Sequence, residues 1–182
     1  MKKLTAWLTA IIMALGLGLL ASGPASAASY CGLAWSSLAK SNQAMSAASV
    51  TNIRSGQNYC FDRLVIDING KAAGYNVRYV SKVVQDGSGL PINLRGGAFL
   101  QVTAHSPSYD SATGKATFVP ANRSEVTNVS NYNTFRQVAW AGSFEGHTTL
   151  GLGVRARLPF KVFTLAGPGN GSKLVIDVAH HW

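Results

Sequence analysis

The chain has 182 residues, a formal charge of +9 at neutral pH and only two cysteines, Cys31 and Cys60. This length suits one domain with a hydrophobic core. The excess of basic residues favours acidic partners, such as anionic wall polymers or lipid headgroups, although a solubilising surface is the simpler interpretation. The basic residues lie singly, with no run of four or more, which argues against a nucleic-acid-binding tail.

Residues 1–27 have the layout of a secretory signal peptide. Two lysines precede an apolar, uncharged run over residues 4–20, and Ala-Ser-Ala at 25–27 fits a signal-peptidase site. A transmembrane anchor is the alternative, because a span needs about 20 apolar residues, but the Gly-Pro break at 23–24 favours cleavage. We therefore predict a secreted protein, extracellular or associated with the cell wall, with no transmembrane anchor after cleavage. Loss of the two lysines leaves a mature chain with a formal charge of +7, and export further argues against a nucleic-acid partner.

Both cysteines lie in the mature chain, and in an exported protein two cysteines most simply form one disulfide. A bridge between Cys31 and Cys60 closes a loop of roughly 30 residues, which stabilises the fold by about 3–4 kcal/mol in the chain-entropy treatment. Two free thiols are the alternative. Residues 34–49 are rich in Ala and Ser without a clean period, so a short helix and an extended arm both stay open. We predict an N-terminal arm over residues 28–59, tethered by the disulfide to a β domain over residues 60–182.

Short segments that are β-branched or alternate in polarity follow, with glycine-rich turn signals such as Asn69-Gly70 between them. The predicted strands are 62–68, 75–80, 99–103, 136–142, 147–155, 160–165 and 173–178. Many short strands at this spacing predict an all-β fold, either a β-sandwich of mainly antiparallel strands or a barrel. Residues 105–134 are polar and contain two prolines, so we expect a long surface excursion there with a short strand near 117–119.

One strand pattern occurs twice. Residues 63–68 (Arg-Leu-Val-Ile-Asp-Ile) return as residues 173–178 (Lys-Leu-Val-Ile-Asp-Val). On a strand, alternate residues share a face, so both copies carry a carboxylate at the same place, Asp67 or Asp177. The repeat suggests two pseudo-equivalent halves, and chance similarity between β-branched strands is the alternative.

No catalytic constellation emerges from the sequence. Asp67 and Asp177 lie in strand patterns and Asp62 begins one, so hydrogen bonds at strand ends and pairing with a residue such as Arg63 or Lys173 are their expected roles. The four histidines have no local ligand partners and are expected to be exposed, so no metal site is predicted. No serine stands in a Gly-x-Ser-x-Gly motif. No helix follows Gly151-Leu152-Gly153, so these glycines predict a turn or a close approach of strands and no phosphate site. We predict no enzymatic activity and no cofactor.

Four residues are candidates for ligand binding. Arg78 and Tyr79 lie on a predicted strand, and Arg155 and Arg157 flank a strand end. Arginine forks bind carboxylates and phosphates, and aromatic faces can stack on sugars. The alternative is ordinary surface charge with the aromatic residues in the core.

Taken together, the predicted strands resemble the AMIN-like domain of actinobacterial secreted proteins and lipoproteins. The stretches that carry the resemblance are 60–67, 74–80, 98–102, 142–146, 151–153, 157–165 and 173–180, and residues 30–38 are similar to the N-terminal arm of the same group. The resemblance implies a relation to the AMIN domain of periplasmic amidases and secretins, a sandwich of two similar small sheets that binds peptidoglycan.

The resemblance therefore implies a non-catalytic cell-envelope module that binds peptidoglycan or another anionic wall component. One alternative is a secreted protein-interaction module, an inhibitor or assembly factor, that uses loop 105–134 and the corner at Arg155 and Arg157 to bind a secreted or envelope protein. A wall hydrolase on an all-β scaffold is the third hypothesis.

Overall fold

A computed structural model describes residues 30–72 and 74–182, and the predicted signal peptide lies outside the described residues. A single 3-10 turn, Tyr30–Gly32, precedes the strands. The strands of the described part are β1 (Lys40–Asn42), β2 (Ser49–Gln57), β3 (Phe61–Asn69), β4 (Tyr75–Val80), β5 (Val83–Val84), β6 (Pro91–Ile92), β7 (Ala98–Ala104), β8 (Phe135–Phe144), β9 (His147–Val154), β10 (Phe160–Ala166) and β11 (Ser172–Ala179). All seven predicted strands are present. The expected strand near residues 117–119 is not formed, and four further strands were not predicted.

Two antiparallel sheets face each other. One has five strands in the order β1-β4-β7-β9-β8, and the other has four in the order β10-β11-β3-β2. Alternate residues of the inner strands point between the sheets. They form one buried cluster that includes Leu64, Ile66, Leu174 and Ile176 from the four-stranded sheet and Leu100, Val102, Leu150 and Leu152 from the five-stranded sheet. The predicted all-β sandwich of antiparallel strands is confirmed, as is the Cys31–Cys60 disulfide.

The repeated strand pattern lies within one sheet. Its two copies, on β3 and β11, pair antiparallel with Val65 opposite Val175. This register places Arg63 opposite Asp177 and Lys173 opposite Asp67. The repeat therefore describes a local two-fold relation between neighbouring strands, in which each basic residue faces an acidic one.

Glycines on β9 allow a second layer to cover the five-stranded sheet. A Cβ atom at Gly151 would lie 2.8 Å from Leu94 Cδ1, and one at Gly153 would collide with the carbonyl oxygen of Arg95. The segment that carries β5 and β6 thus packs directly on the outer face of β9. These glycines were expected to mark a turn or a close approach of strands. The structure shows a close approach of the backbone at Gly153, whereas the neighbours of Gly151 are the side chains of Leu94 and Val83.

The long segment 105–134 covers the edge of β8. Val126 N donates to Val138 O at 2.8 Å, and Trp140 N donates to Arg123 O at 2.7 Å. An open strand edge is a template for unwanted pairing, so this excursion protects the outer strand of the five-stranded sheet. In the part of the chain that the structure describes, no helix has the length and apolarity of a membrane span.

Candidate ligand-binding cleft

A cleft of about 710 Å³ opens at the end of the sandwich where the disulfide lies. We call it the disulfide cleft. Its lining residues are Tyr30, Gln57, Asn58, Tyr59, Asn133, Arg155, His180 and His181. This volume lies within the range of small-ligand sites in proteins. Side chains with aromatic rings, amides or cationic groups dominate the lining.

The disulfide brings two tyrosines into this cleft. Tyr30 directly precedes Cys31, and Tyr59 directly precedes Cys60, so the bond between the cysteines joins two distant segments at this point. The Tyr30 ring packs edge-on against the His181 ring, with 4.7 Å between centroids. The side chain of Tyr59 is 89% exposed. The cleft therefore has one aromatic wall that is held in place and one that is open to solvent.

A buried hydrogen-bond network forms the floor of the cleft. Asp62 accepts hydrogen bonds from the backbone N–H groups of Thr134 and Phe135, at 2.6 and 2.9 Å. His180 Nε2 lies 3.0 Å from the other oxygen of Asp62, and His180 Nδ1 lies 3.5 Å from Asn133 Nδ2. A histidine tautomer with its proton on Nε2 satisfies both contacts. The network joins the start of β3, the start of β8 and the end of β11.

This network corrects one expectation and confirms another. His180 is only 3% exposed, so the expectation that the histidines are exposed is wrong for this residue. It is also wrong for His105, which is buried beside the segment that links β1 and β2. Histidine can be buried when both ring nitrogens have partners, and sequence alone did not reveal those partners. Asp62 has the expected role of hydrogen bonding at a strand end.

Arg155 projects into the cleft from the end of β9. Its backbone N–H donates to Thr134 O at 2.8 Å, and its Nη2 donates to the carbonyl oxygen of His180. No carboxylate of the described residues lies within ion-pair distance of Arg155. Its charge is therefore uncompensated by any described side chain.

Tyr79 and Arg157 meet at a different place, a groove of about 440 Å³. The Arg157 guanidinium lies 5.1 Å from the centre of the Tyr79 ring. The Tyr79 hydroxyl donates to Leu158 O at 2.8 Å and accepts from Leu158 N at 2.9 Å. Burial raises the pKa of Tyr79 to about 12. This hydroxyl therefore anchors the β9–β10 connection.

Arg78 lies apart from the other candidates. It is exposed on β4, on the strand face opposite to Tyr79, and its Nη1 lies 3.4 Å from Asn76 Oδ1. The four residues predicted as ligand-binding candidates thus occupy three separate locations, and only Arg155 lies in the disulfide cleft.

Sequence reasoning missed the two tyrosines and the amide side chains of the cleft. A signal for the tyrosines was present, because each stands next to a cysteine of the predicted disulfide. Asn133 carried no comparable signal, since it reaches the cleft only through the fold of segment 105–134. Over residues 30–72 and 74–182, no group of three or more His, Cys, Asp or Glu side chains is arranged to hold a metal ion.

The fold and the cleft define a disulfide-linked β-sandwich with a cleft lined by aromatic, amide and cationic side chains. More particularly, the chain belongs to the AMIN-like domain family, whose model matches residues 48–180. The match starts at the beginning of β2 and ends at His180 on the cleft floor. Comparison with curated proteins and with solved structures gave no match. Membership in this family suggests a peptidoglycan-associated module of the cell envelope and agrees with a non-catalytic role.

Proposed function

We propose that this protein is a secreted, non-catalytic module that binds the glycan of peptidoglycan in the disulfide cleft. The observation that carries the proposal is the pair of tyrosines beside the disulfide, Tyr30 and Tyr59, which line one cleft together with three amide side chains. Aromatic faces offer a flat apolar surface to a sugar ring, and amides bond its hydroxyl and acetamido groups. The family assignment and the formal charge of +7 predicted for the mature chain support the same conclusion.

The cleft floor supports a non-catalytic role. Asp62 and His180 form a carboxylate–imidazole pair, which in hydrolases can activate a nucleophile. Here the carboxylate accepts three hydrogen bonds from inside the fold, and His180 Nδ1 faces the amide of Asn133. An amide is not a nucleophile that this pair could activate. The pair therefore serves to hold three strand ends together.

Sedimentation with insoluble peptidoglycan tests the proposal. The mature protein, with its disulfide intact, is expected to pellet with the wall at low and at moderate salt. Loss of an aromatic contact worth about 0.5–1.5 kcal/mol predicts a roughly 2–10-fold weaker affinity for Tyr59→Ala. Phe144→Ala is the matched control, because Phe144 is an exposed aromatic residue outside the cleft. A wild-type protein that stays in the supernatant, or equal loss in both variants, contradicts the proposal.

A protein-interaction module is the second candidate, and one surface favours it. Trp182 Nε1 donates to Arg157 O at 3.1 Å, and the Arg157 guanidinium contacts Ser37. Leu38, next to Ser37, and Trp182 are both strongly exposed. Exposed Trp and Arg side chains are frequent hot spots of protein interfaces. Site-specific crosslinking from position 182 in the secreted fraction would recover one stoichiometric partner if this candidate is correct, and no partner if it is wrong.

A further inference from the structure

We infer that the disulfide cleft selects a sugar that carries a carboxylate, and that Arg155 binds this carboxylate. The inference rests on the proposed binding of a glycan and adds the chemical class of the sugar and the residue that distinguishes it.

Arg155 has hydrogen-bonding capacity to spare. A guanidinium group carries five N–H donors in a planar fork, and in the described structure the side chain uses only Nη2, which donates to the carbonyl oxygen of His180. This bond fixes the orientation of the group. Nε and Nη1 have no hydrogen-bond partner among the described residues, and Nη2 keeps its second N–H. One of the two edges of the group, Nε with Nη2 or Nη1 with Nη2, therefore remains to bind a carboxylate with two parallel hydrogen bonds.

Three arginines of the described residues have a carboxylate partner, in the pairs Arg54–Asp67, Arg63–Asp177 and Arg95–Glu125. Arg155 is one of five described arginines without such a partner, and of these five it is the one that lines the disulfide cleft. Among the described residues, no acidic side chain lines the disulfide cleft. Asp62 lies beneath it, but its side chain is fully buried and its oxygens accept hydrogen bonds from His180 Nε2 and two backbone N–H groups. An anion that enters the cleft therefore contacts a cation and no carboxylate of the described residues.

The walls of the cleft distinguish an acidic sugar from simpler ligands. A small inorganic anion would use Arg155 but would leave the ring of Tyr59 without a partner. A neutral sugar could stack on Tyr59 and bond Gln57, Asn58 and Asn133, but it would leave the charge of Arg155 uncompensated. A ligand with both a sugar ring and a carboxylate uses both features of the cleft.

Two sources can supply such a sugar, and the probes are chosen to separate them. The first probe is a disaccharide that contains N-acetylmuramic acid with a free lactyl carboxylate, and it represents peptidoglycan glycan that has lost its stem peptides, because a stem peptide converts this carboxylate into an amide. The second contains glucuronic acid and represents uronic-acid polymers. The methyl amide of the first probe and diacetylchitobiose are the matched neutral ligands. Dissociation constants are measured by calorimetry or NMR titration with the mature, disulfide-bonded chain.

We expect the wild-type protein to bind at least one acidic disaccharide at least tenfold more tightly than the neutral ligands. Arg155→Gln should reduce this preference to less than twofold, through weaker binding of the acidic disaccharides. Arg78→Gln is the matched control and should retain the full preference. If Arg155→Gln does not fold, the comparison of the first probe with its methyl amide on the wild-type protein still decides the question.

Equal affinity of the wild-type protein for the acidic probes and the methyl amide overturns the inference, as does a preference that survives in Arg155→Gln. The inference is also overturned if the protein sediments with the wall but binds neither acidic probe. In that case the proposed function still stands. Tight binding of the glucuronic-acid probe with no sedimentation of the protein on peptidoglycan supports the inference and overturns the proposed function.

Discussion

Arg63 and Asp177 form a bidentate ion pair across β3 and β11, with Nε and Nη2 lying 2.6 and 2.8 Å from the two carboxylate oxygens. The pair results directly from the repeated strand pattern, because antiparallel pairing of its two copies places the first residue of one opposite the fifth residue of the other. The hydrogen bonds to Asp177 raise the pKa of Arg63. The equivalent carboxylate of the first copy, Asp67, is bound instead by Arg54 of β2, at 2.9 Å.

We expect Asp177→Asn to destabilise the fold by about 1–3 kcal/mol, because it leaves a partly buried guanidinium without its charged partner. The Asp177 side chain is 3% exposed, whereas the Arg54–Asp67 pair is 47% and 23% exposed. Asp67→Asn, at the equivalent position of the repeat, should therefore cost less than about 1 kcal/mol. Urea unfolding of the two variants checks this difference. Equal losses would show that burial does not decide the strength of the two pairs.

Gly153→Ala is expected to destabilise the protein by about 1–3 kcal/mol or to prevent folding, because the new methyl group overlaps the backbone of Arg95. At Gly151 the nearest group is the flexible end of Leu94, so Gly151→Ala should cost less. Gly56, on the edge strand β2, has no atom within 4 Å of the Cβ position. Gly56→Ala is therefore the control and should change stability by less than about 0.5 kcal/mol. Thermal unfolding gives the order of the three variants, and the reverse order would contradict the packing described for β9.

The strands that sequence patterns predict best are those at the centre of the four-stranded sheet. β3 and β11 are short, apolar and bounded by turn residues, so local pattern and tertiary role agree. β2 was not predicted, because a β-bulge interrupts its alternating pattern. Val50 pairs with Ile68 and Asn52 pairs with Asp67, so the residue between Val50 and Asn52 has no partner on β3. The extra residue lets Val50 and Ile53 both face the core although they are three positions apart. The alternation that predicts a strand is therefore broken at this position.

The disulfide cleft was less predictable than the fold. Arg155 was predicted as a binding candidate because a guanidinium group binds carboxylates and phosphates in many structural settings. Tyr30, Tyr59 and His181 come from three distant segments, and only the disulfide and the end of β11 bring them together. The four predicted candidates do not form one site. Arg78 and Tyr79, for example, are neighbours on β4, and successive side chains of a strand point to opposite faces of the sheet.

The stability of the protein should fall as the pH falls from about 7 toward 5. Burial lowers the pKa of His105 below its ordinary value of 6.5, and the nearby charge of His147 acts in the same direction. Below pH 6.5 the unfolded chain then binds more protons at this site than the folded chain does, so acidification favours unfolding. His105→Gln keeps a donor for the carbonyl oxygen of Ala44 and should reduce this pH dependence. Urea midpoints of both proteins at pH 7.5 and 5.5 provide the measurement, and identical shifts would exclude His105 as the source.

Removal of the disulfide should affect both stability and the proposed binding. The bond joins residues that are 29 positions apart, so its loss in a Cys31→Ser, Cys60→Ser protein is expected to cost roughly 3–4 kcal/mol. The 3-10 turn that carries Tyr30 is then no longer linked to the residue after Tyr59, although the two sheets and their core keep all their strands. Binding of peptidoglycan should therefore weaken under conditions in which the protein is still folded. Circular dichroism establishes the folded fraction, and sedimentation with the wall at the same temperature measures binding. Undiminished binding by the folded double variant would show that the tyrosine next to Cys31 does not contribute to the site.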